Sequence, residues 1–193
     1  MLRAVEDGDD GADALDEVVD AGLQLWADAG WAAVTLPAAC AAAGVGVEEM
    51  TDEFTGPLDL LCEVFDRSTD ERASAVLTAM DAAPHEQRLR EGMRAYVACI
   101  DRDPRHAAVL VEAVGCPELR SRRRSSFRGF AAVMAAQVVG TAAEPRRLQI
   151  AAHFCLGGLT EITLAWLDAE TDVDRELVLE HGARMFEVVM TTP

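Results

Sequence analysis

The sequence predicts an all-α fold of about nine helices, with a small N-terminal three-helix module and a larger C-terminal helical domain. Three observations carry this expectation. Half of the 193 residues are apolar and only 5% are aromatic, with alanine abundant, a composition that favours packed helices over sheet. Apolar residues recur at three- and four-residue spacing, and no alternating run marks a strand. Prolines and glycines divide the chain at helix-length intervals, without internal repeat.

Taken in order, residues 1–12 (MLRAVEDGDDGA) are acidic and glycine-containing and read as a disordered tail. A helix follows from Asp13, its apolar stripe formed by Leu15, Val18, Val19, Gly22, Leu25 and Trp26, with Gly30 as its stop. Thr35 is the expected N-cap of a second helix, with Pro37 in its first turn and Gly44 at its end. A short third helix is expected from Val47 to Glu53, which closes a module over 13–56. Pro57 opens a long fourth helix and the second domain, 57–193, with Leu60, Leu61, Val64 and Phe65 as the buried stripe. Pro84, Pro104, Pro117 and Pro145 stand near the starts of segments 85–102, 104–115, 117–140 and 145–169, and a last helix spans 173–190.

Composition narrows the function. No apolar run reaches the roughly 18 residues of a bilayer span, and the N-terminus is no signal peptide, so a cytoplasmic protein with no membrane partner is expected. Cys40, Cys62, Cys99, Cys116 and Cys155 show no CxxC or His–Cys pattern and read as free buried thiols, so no metal site and no cofactor is expected. There is no phosphate loop, GxSxG or HExxH, and His85, His106, His153 and His181 are far apart, which leaves no visible catalytic constellation. The net charge of −17 is unevenly placed. Residues 1–66 hold sixteen acids and one arginine, whereas 67–193 hold eighteen acids and sixteen arginines, and no Arg, Lys or His occurs from Ala4 to Asp66.

Within Ala14 to Phe65, the segments AGLQLWADAGWAAVT, AACAAAGVGV and Phe54 followed by LDLLCEVF resemble the TetR-type (tetracycline-repressor-like) regulators. ELRSRRRSSFRGF, LGGLTEITLAWLDAE and LEHGARMF resemble that family's C-terminal part in style. The resemblance implies that 13–56 is a helix-turn-helix DNA-binding module on a ligand-binding domain, with a small-molecule effector and a homodimer joined through the last two helices.

The reading-helix positions are Gly46, Val47, Glu48, Glu49, Thr51, Asp52 and Glu53. By the resemblance, Gly46 stands where such regulators carry Ser or Thr, Thr51 where they carry Tyr, and Pro57 where they carry Lys, while Gly44, Val45 and Phe54 keep the scaffold. DNA binding rests first on neutralising phosphates, and non-specific affinity of about 10⁻⁴ to 10⁻⁶ M is nearly all electrostatic. Acids in a first turn stabilise a short helix by about 0.3–1 kcal/mol each, which accounts for some of them. It does not account for the absence of any cation across this module. The expectation is a regulator whose module binds duplex DNA poorly and acts through a protein partner with a basic surface. The alternatives are a conventional TetR-type repressor, and the same fold used as a non-regulatory ligand-binding protein or enzyme.

In the second domain, Leu148, Cys155, Leu159, Ile162 and Trp166 share one helical side, and Leu177, His181, Met185 and Val188 another. These sides read as a four-helix dimer seam, with Leu159, Ile162, Trp166, Leu177, His181, Met185 and Val188 as interface candidates and Gly157-Gly158 permitting close approach; intramolecular core is the alternative. Pocket candidates are Met93, Tyr96, Val97, Ile100, Leu110, Val114, Phe127, Phe130, Met134, His153 and Leu156, a spacing that also suits plain core. Tyr96 and His153 stand out as polar groups among apolar neighbours. Arg120, Arg122, Arg123, Arg124 and Arg128 form the densest basic cluster, readable as a solvated face, an anion or partner site, or a dock for acidic segments.

Overall fold

The computed structural model describes residues 7–113, 115–136 and 144–191. α1 (Asp7–Ala29) begins ahead of the expected Asp13, so residues 7–12, expected in a disordered tail, are helical; 1–6 lie outside the described residues. It buries Val18, Val19, Leu23 and Trp26, the spacing read from the sequence. In α2 (Leu36–Ala43) the Thr35 hydroxyl accepts the Ala38 N–H at 3.4 Å, and Gly44 ends the helix at φ 75°, a left-handed conformation that disfavours a side chain.

The expected third helix is shorter than predicted: Val47–Met50 is a single 3₁₀ turn and residues 51–53 form a further turn. The Thr51 hydroxyl donates to the Glu48 carbonyl at 2.8 Å, a local bond that competes with helix extension. Met50 and Phe54 are buried and pin the turn to the core. α3 (Asp59–Ala82) then starts beyond Pro57, because the Asp59 carboxylate accepts the Gly56 N–H at 2.6 Å and the Thr55 hydroxyl at 3.2 Å.

α4 (Arg88–Arg102), α5 (Arg105–Glu112), α6 (Pro117–Ala136) and α7 (Pro145–Leu167) occupy the proline-bounded segments. α8 covers 175–191 and is α-helical at Arg175–Leu177 and Ala183–Thr191, with a π segment at Val178–Gly182 between them. The described residues thus hold eight helices and no strand, and the 3₁₀ turn at the reading position accounts for the ninth expected element.

Two apolar clusters hold the chain together. The first joins Val18, Trp26, Cys40, Met50, Phe54, Leu61 and Phe65 to Val109, Ala113, Cys116 and Leu119 of the later chain. The N-terminal core is therefore completed by α5 and the start of α6, and packing continues across the boundary read at 56/57. The second gathers Met93, Val97, Leu148, Ala152, Cys155, Phe186 and Met190 from α4, α7 and α8. α7 is long and apolar enough to cross a membrane by length and composition, contrary to the reading of the bare sequence, but its inner side, including Ala152, Cys155 and Thr163, packs within the protein. All five cysteines are free and buried, and burial pushes the Cys155 thiol up to about 11.

Polar ties also cross from the acidic third to the rest. Arg67 pairs with Asp16, Arg122 with Asp66, and Arg105 with Asp20 at 2.8 Å. These pairs are part-exposed, so each contributes only about 0–1 kcal/mol. The Trp31 N–H donates to Glu112 of α5 at 3.1 Å.

Candidate functional site

The reading position is a short turn with an acidic exterior. Glu48, Glu49, Thr51, Asp52 and Glu53 are exposed, while Gly46 and Val47 are half-buried against the module. The Glu49 carboxylate turns back and accepts the Gly46 N–H at 3.1 Å. A Cβ at position 46 would lie 2.6 Å from that carboxylate oxygen, so the Ser or Thr of the resembled pattern does not fit this arrangement without displacing it. Burial, then the charges of Glu49 and Glu48, raise the pKa of the Cys40 thiol. Beside it, a surface hollow between α1 and α2 is lined by Asp16, Glu17, Asp20 and Asp28 together with Ala21, Leu25, Ala42 and Ala43. Neither α1 nor α2 carries a basic residue in its last turn.

The second feature is a cavity of about 100 Å³ between the two apolar clusters. The expected Met93, Tyr96, Leu110, Phe127, Phe130, Met134 and Leu156 all line it. Val97 and Ile100 do not: both are fully buried core on the same helix, because α4 packs on two sides and periodicity alone does not separate them. His153 is exposed on α7, and its Nδ1 lies 2.9 Å from the Gln149 carbonyl, so it is no pocket group. Val114 lies outside the described residues. The buried histidine is instead His106, 1% exposed, with its Nδ1 2.9 Å from the Ser68 hydroxyl.

The lining that sequence reasoning missed comes mainly from α3. Phe65, Thr69, Arg72, Val76 and Met80 follow one another at three- and four-residue steps along its inner side. An arginine within that stripe was the available signal. Arg72 is 6% exposed; its Nε donates to the Ser68 carbonyl at 2.8 Å and an Nη to the Thr69 hydroxyl at 3.3 Å. Burial lowers its pKa, and the nearby Tyr96, Cys99 and Glu71 offset this in part. Tyr96 is held above its ordinary range, by burial first, and therefore stands as a neutral phenol, its hydroxyl 3.3 Å from that of Thr163. Of the arginine cluster, Arg123 lines the cavity with its guanidinium 4.4 Å from the Phe127 ring centre, Arg122 pairs with Asp66, and Arg120, Arg124 and Arg128 are exposed.

The interface candidates separate into two groups. Leu177, His181, Met185 and Val188 are all exposed along one side of α8. Leu159, by contrast, is buried, and Ile162 and Trp166 pack against the second cluster, with Ile162 touching the Gly182 position. The outward side of α7 is instead carried by Ile150, Phe154 and Gly158, with Gly157 half-buried beside them and nothing within 4 Å of a Cβ built on either glycine. Apolar spacing alone does not separate a side that packs within the chain from one that faces outward.

No family model matches the sequence, and no curated protein matches it either. Solved structures do match in shape. The fatty acid degradation regulator FadR from Bacillus halodurans superposes with a TM-score of 0.75 at 17% identity, over 92% of this chain and 98% of that one. A TetR-like transcriptional regulator from Rhodococcus sp. RHA1 gives 0.74 at 13% identity, over 93% and 97%. The multidrug binding protein EbrR, solved with imidazole, gives 0.67 at 19% identity, over 93% and 96%. With alignments that span nearly the whole of each chain, the protein has the fold of the TetR-type transcriptional regulators.

Proposed function

We propose that the protein is a homodimeric regulator of transcription that senses a small molecule in the α3–α4–α6–α7 cavity. Its helix-turn-helix module does not hold duplex DNA by itself and works through a protein partner with a basic surface. The observation that carries this reading is the exposed set Glu48, Glu49, Asp52 and Glu53 at the reading position, in a segment where no cation occurs from Ala4 to Asp66. A like charge at about 4 Å costs roughly 1 kcal/mol even in water, and four of them offset much of the ~5–8 kcal/mol of non-specific attraction. Among direct base contacts, acids pair only with cytosine. In the hollow between α1 and α2, Asp16 and Asp20 already pair with Arg67 and Arg105, and Glu17 and Asp28 remain beside alanine and leucine to meet the basic side chains of a partner.

The cavity can reach the module because α3 takes part in both. Leu61 and Phe65 belong to the module's core, and Arg72 and Met80, further along the same helix, line the cavity. A ligand that repositions α3 changes how the module is presented. For the dimer, the exposed apolar sides of α7 and α8 form the contact. Gel-shift titration of the purified protein against its own upstream DNA at low salt tests the reading. No retention is expected, and tight sequence-selective retention by the protein alone contradicts it.

A further inference from the structure

The cavity carries a charge pattern opposite to that of the protein. The chain has 34 acidic residues against 17 basic, yet among the described residues the cavity lining contains two arginines, Arg72 and Arg123, and no Asp or Glu. Arg72 is nine-tenths buried and makes no salt bridge among the described residues, although the charge of Glu71 acts on it from nearby. Two of its five N–H groups are used, by the Ser68 carbonyl and the Thr69 hydroxyl, which leaves three for a ligand. Glu71, the neighbouring acid, is directed to His106 at 3.5 Å. The Nε of Arg123 is likewise buried without a hydrogen-bond partner.

A buried guanidinium without an anion costs free energy in the empty protein, and a ligand anion recovers it. Arginine's planar fork matches a carboxylate in two-point geometry. Tyr96 lines the same cavity, and its hydroxyl accepts from Thr163 at 3.3 Å, which leaves its own O–H to donate. Thr69, Ser126 and Thr160 also line it, the last two donating to the Arg122 and Leu156 carbonyls, and the rest of the wall is mainly apolar, with Phe65, Met80, Met93, Phe127, Phe130 and Phe186. The free N–H groups of Arg72 match one carboxylate, and the mainly apolar remainder of the wall suits a ligand whose body is apolar.

We propose that the cavity binds a small organic monocarboxylate, its carboxylate held by Arg72 with Tyr96 and its apolar body lying among the phenylalanines and methionines. This rests on the reading of the cavity as the sensing site and adds the chemical class of what is sensed. The test is calorimetric titration of the full chain with 3-phenylpropionate and hexanoate, each compared with its own primary amide. At least one acid is expected to bind about tenfold or more tighter than its amide. In Arg72→Met that preference disappears, and in Arg72→Lys part of it remains. The empty Arg72→Met protein is also expected to melt higher than the wild type, whereas an arginine kept for structure would melt lower on removal. Equal binding of acid and amide overturns the carboxylate assignment and leaves the sensing cavity standing. An undiminished acid preference in Arg72→Met overturns the role of Arg72. Failure of all four probes to bind overturns the assignment and removes the support for a sensing cavity as well.

Discussion

The Glu49 carboxylate accepts the Gly46 N–H at 3.1 Å. The N-terminal end of a helix at this position would offer its free N–H groups to a DNA phosphate. Here the protein's own anion already occupies that end, and Glu48 stands exposed beside it. Glu49 therefore has two roles, as the cap that holds the turn and as part of the charge that repels phosphate.

The cap makes a stability prediction. Glu49→Ala removes the acceptor from the Gly46 N–H and is expected to cost about 1 kcal/mol. Glu49→Gln, which keeps an acceptor oxygen, recovers most of it. Urea denaturation followed by circular dichroism measures both, and an unchanged midpoint for Glu49→Ala would contradict the capping role.

Gly30 has φ 83°, and a Cβ there would lie 3.2 Å from Glu112, the acceptor of the Trp31 N–H. Gly30→Ala combines a strained backbone with crowding of that acceptor, and a loss of about 2 kcal/mol is expected. Since Glu112 belongs to α5, the loss should appear as a lower midpoint of the whole transition, with no separate unfolding step for the module.

His106 gives the protein a pH dependence. Burial, then the charge of Arg72, holds its pKa below the ordinary value, while Glu71 and Asp103 pull the other way and Arg105 adds to the lowering. As pH falls the unfolded chain takes up the proton first, so stability present above about pH 6.5 declines from there down through the lowered folded value. His106→Gln is expected to flatten the decline in thermal melts between about pH 7 and 5. A wild-type melting temperature that rises as pH falls over that range contradicts the sign.

The proposed dimer has a direct test. Phe154 is 70% exposed on α7, and Met185 is 60% exposed on α8. Phe154→Glu combined with Met185→Glu is expected to reduce the sedimenting mass from twice the 20.7 kDa chain to that of one chain, with helix content unchanged. A wild-type protein that sediments at 20.7 kDa would remove the dimer from the account.

Helix existence was legible because Thr35, Gly44 and the prolines speak locally, through caps and breaks that need no tertiary partner. The third helix was overestimated at Val47 to Glu53 because the Thr51 hydroxyl bond to Glu48, which shortens it, leaves no periodic trace. Most of the cavity wall on α4 and α6 was readable from apolar spacing, but Val97 and Ile100 share the spacing of Met93 and Tyr96 while facing core. Arg72 lies within the stripe from Phe65 to Met80, where a charge among apolar neighbours marks a lining position, but only packing shows that it faces the cavity. On α7, Leu159 and Phe154 are both apolar, and only packing shows which of them faces outward.

The central claim concerns charge at Glu48, Glu49, Asp52 and Glu53. Fluorescence anisotropy with a labelled duplex of the protein's own upstream DNA, at about 50 mM salt, is the most direct measurement because phosphate attraction is strong there. The wild type is expected to show no saturable binding, and a variant with lysine at all four positions is expected to gain binding that weakens as salt rises. Saturable wild-type binding that weakens with salt, or is lost when lysines are introduced, would contradict the account.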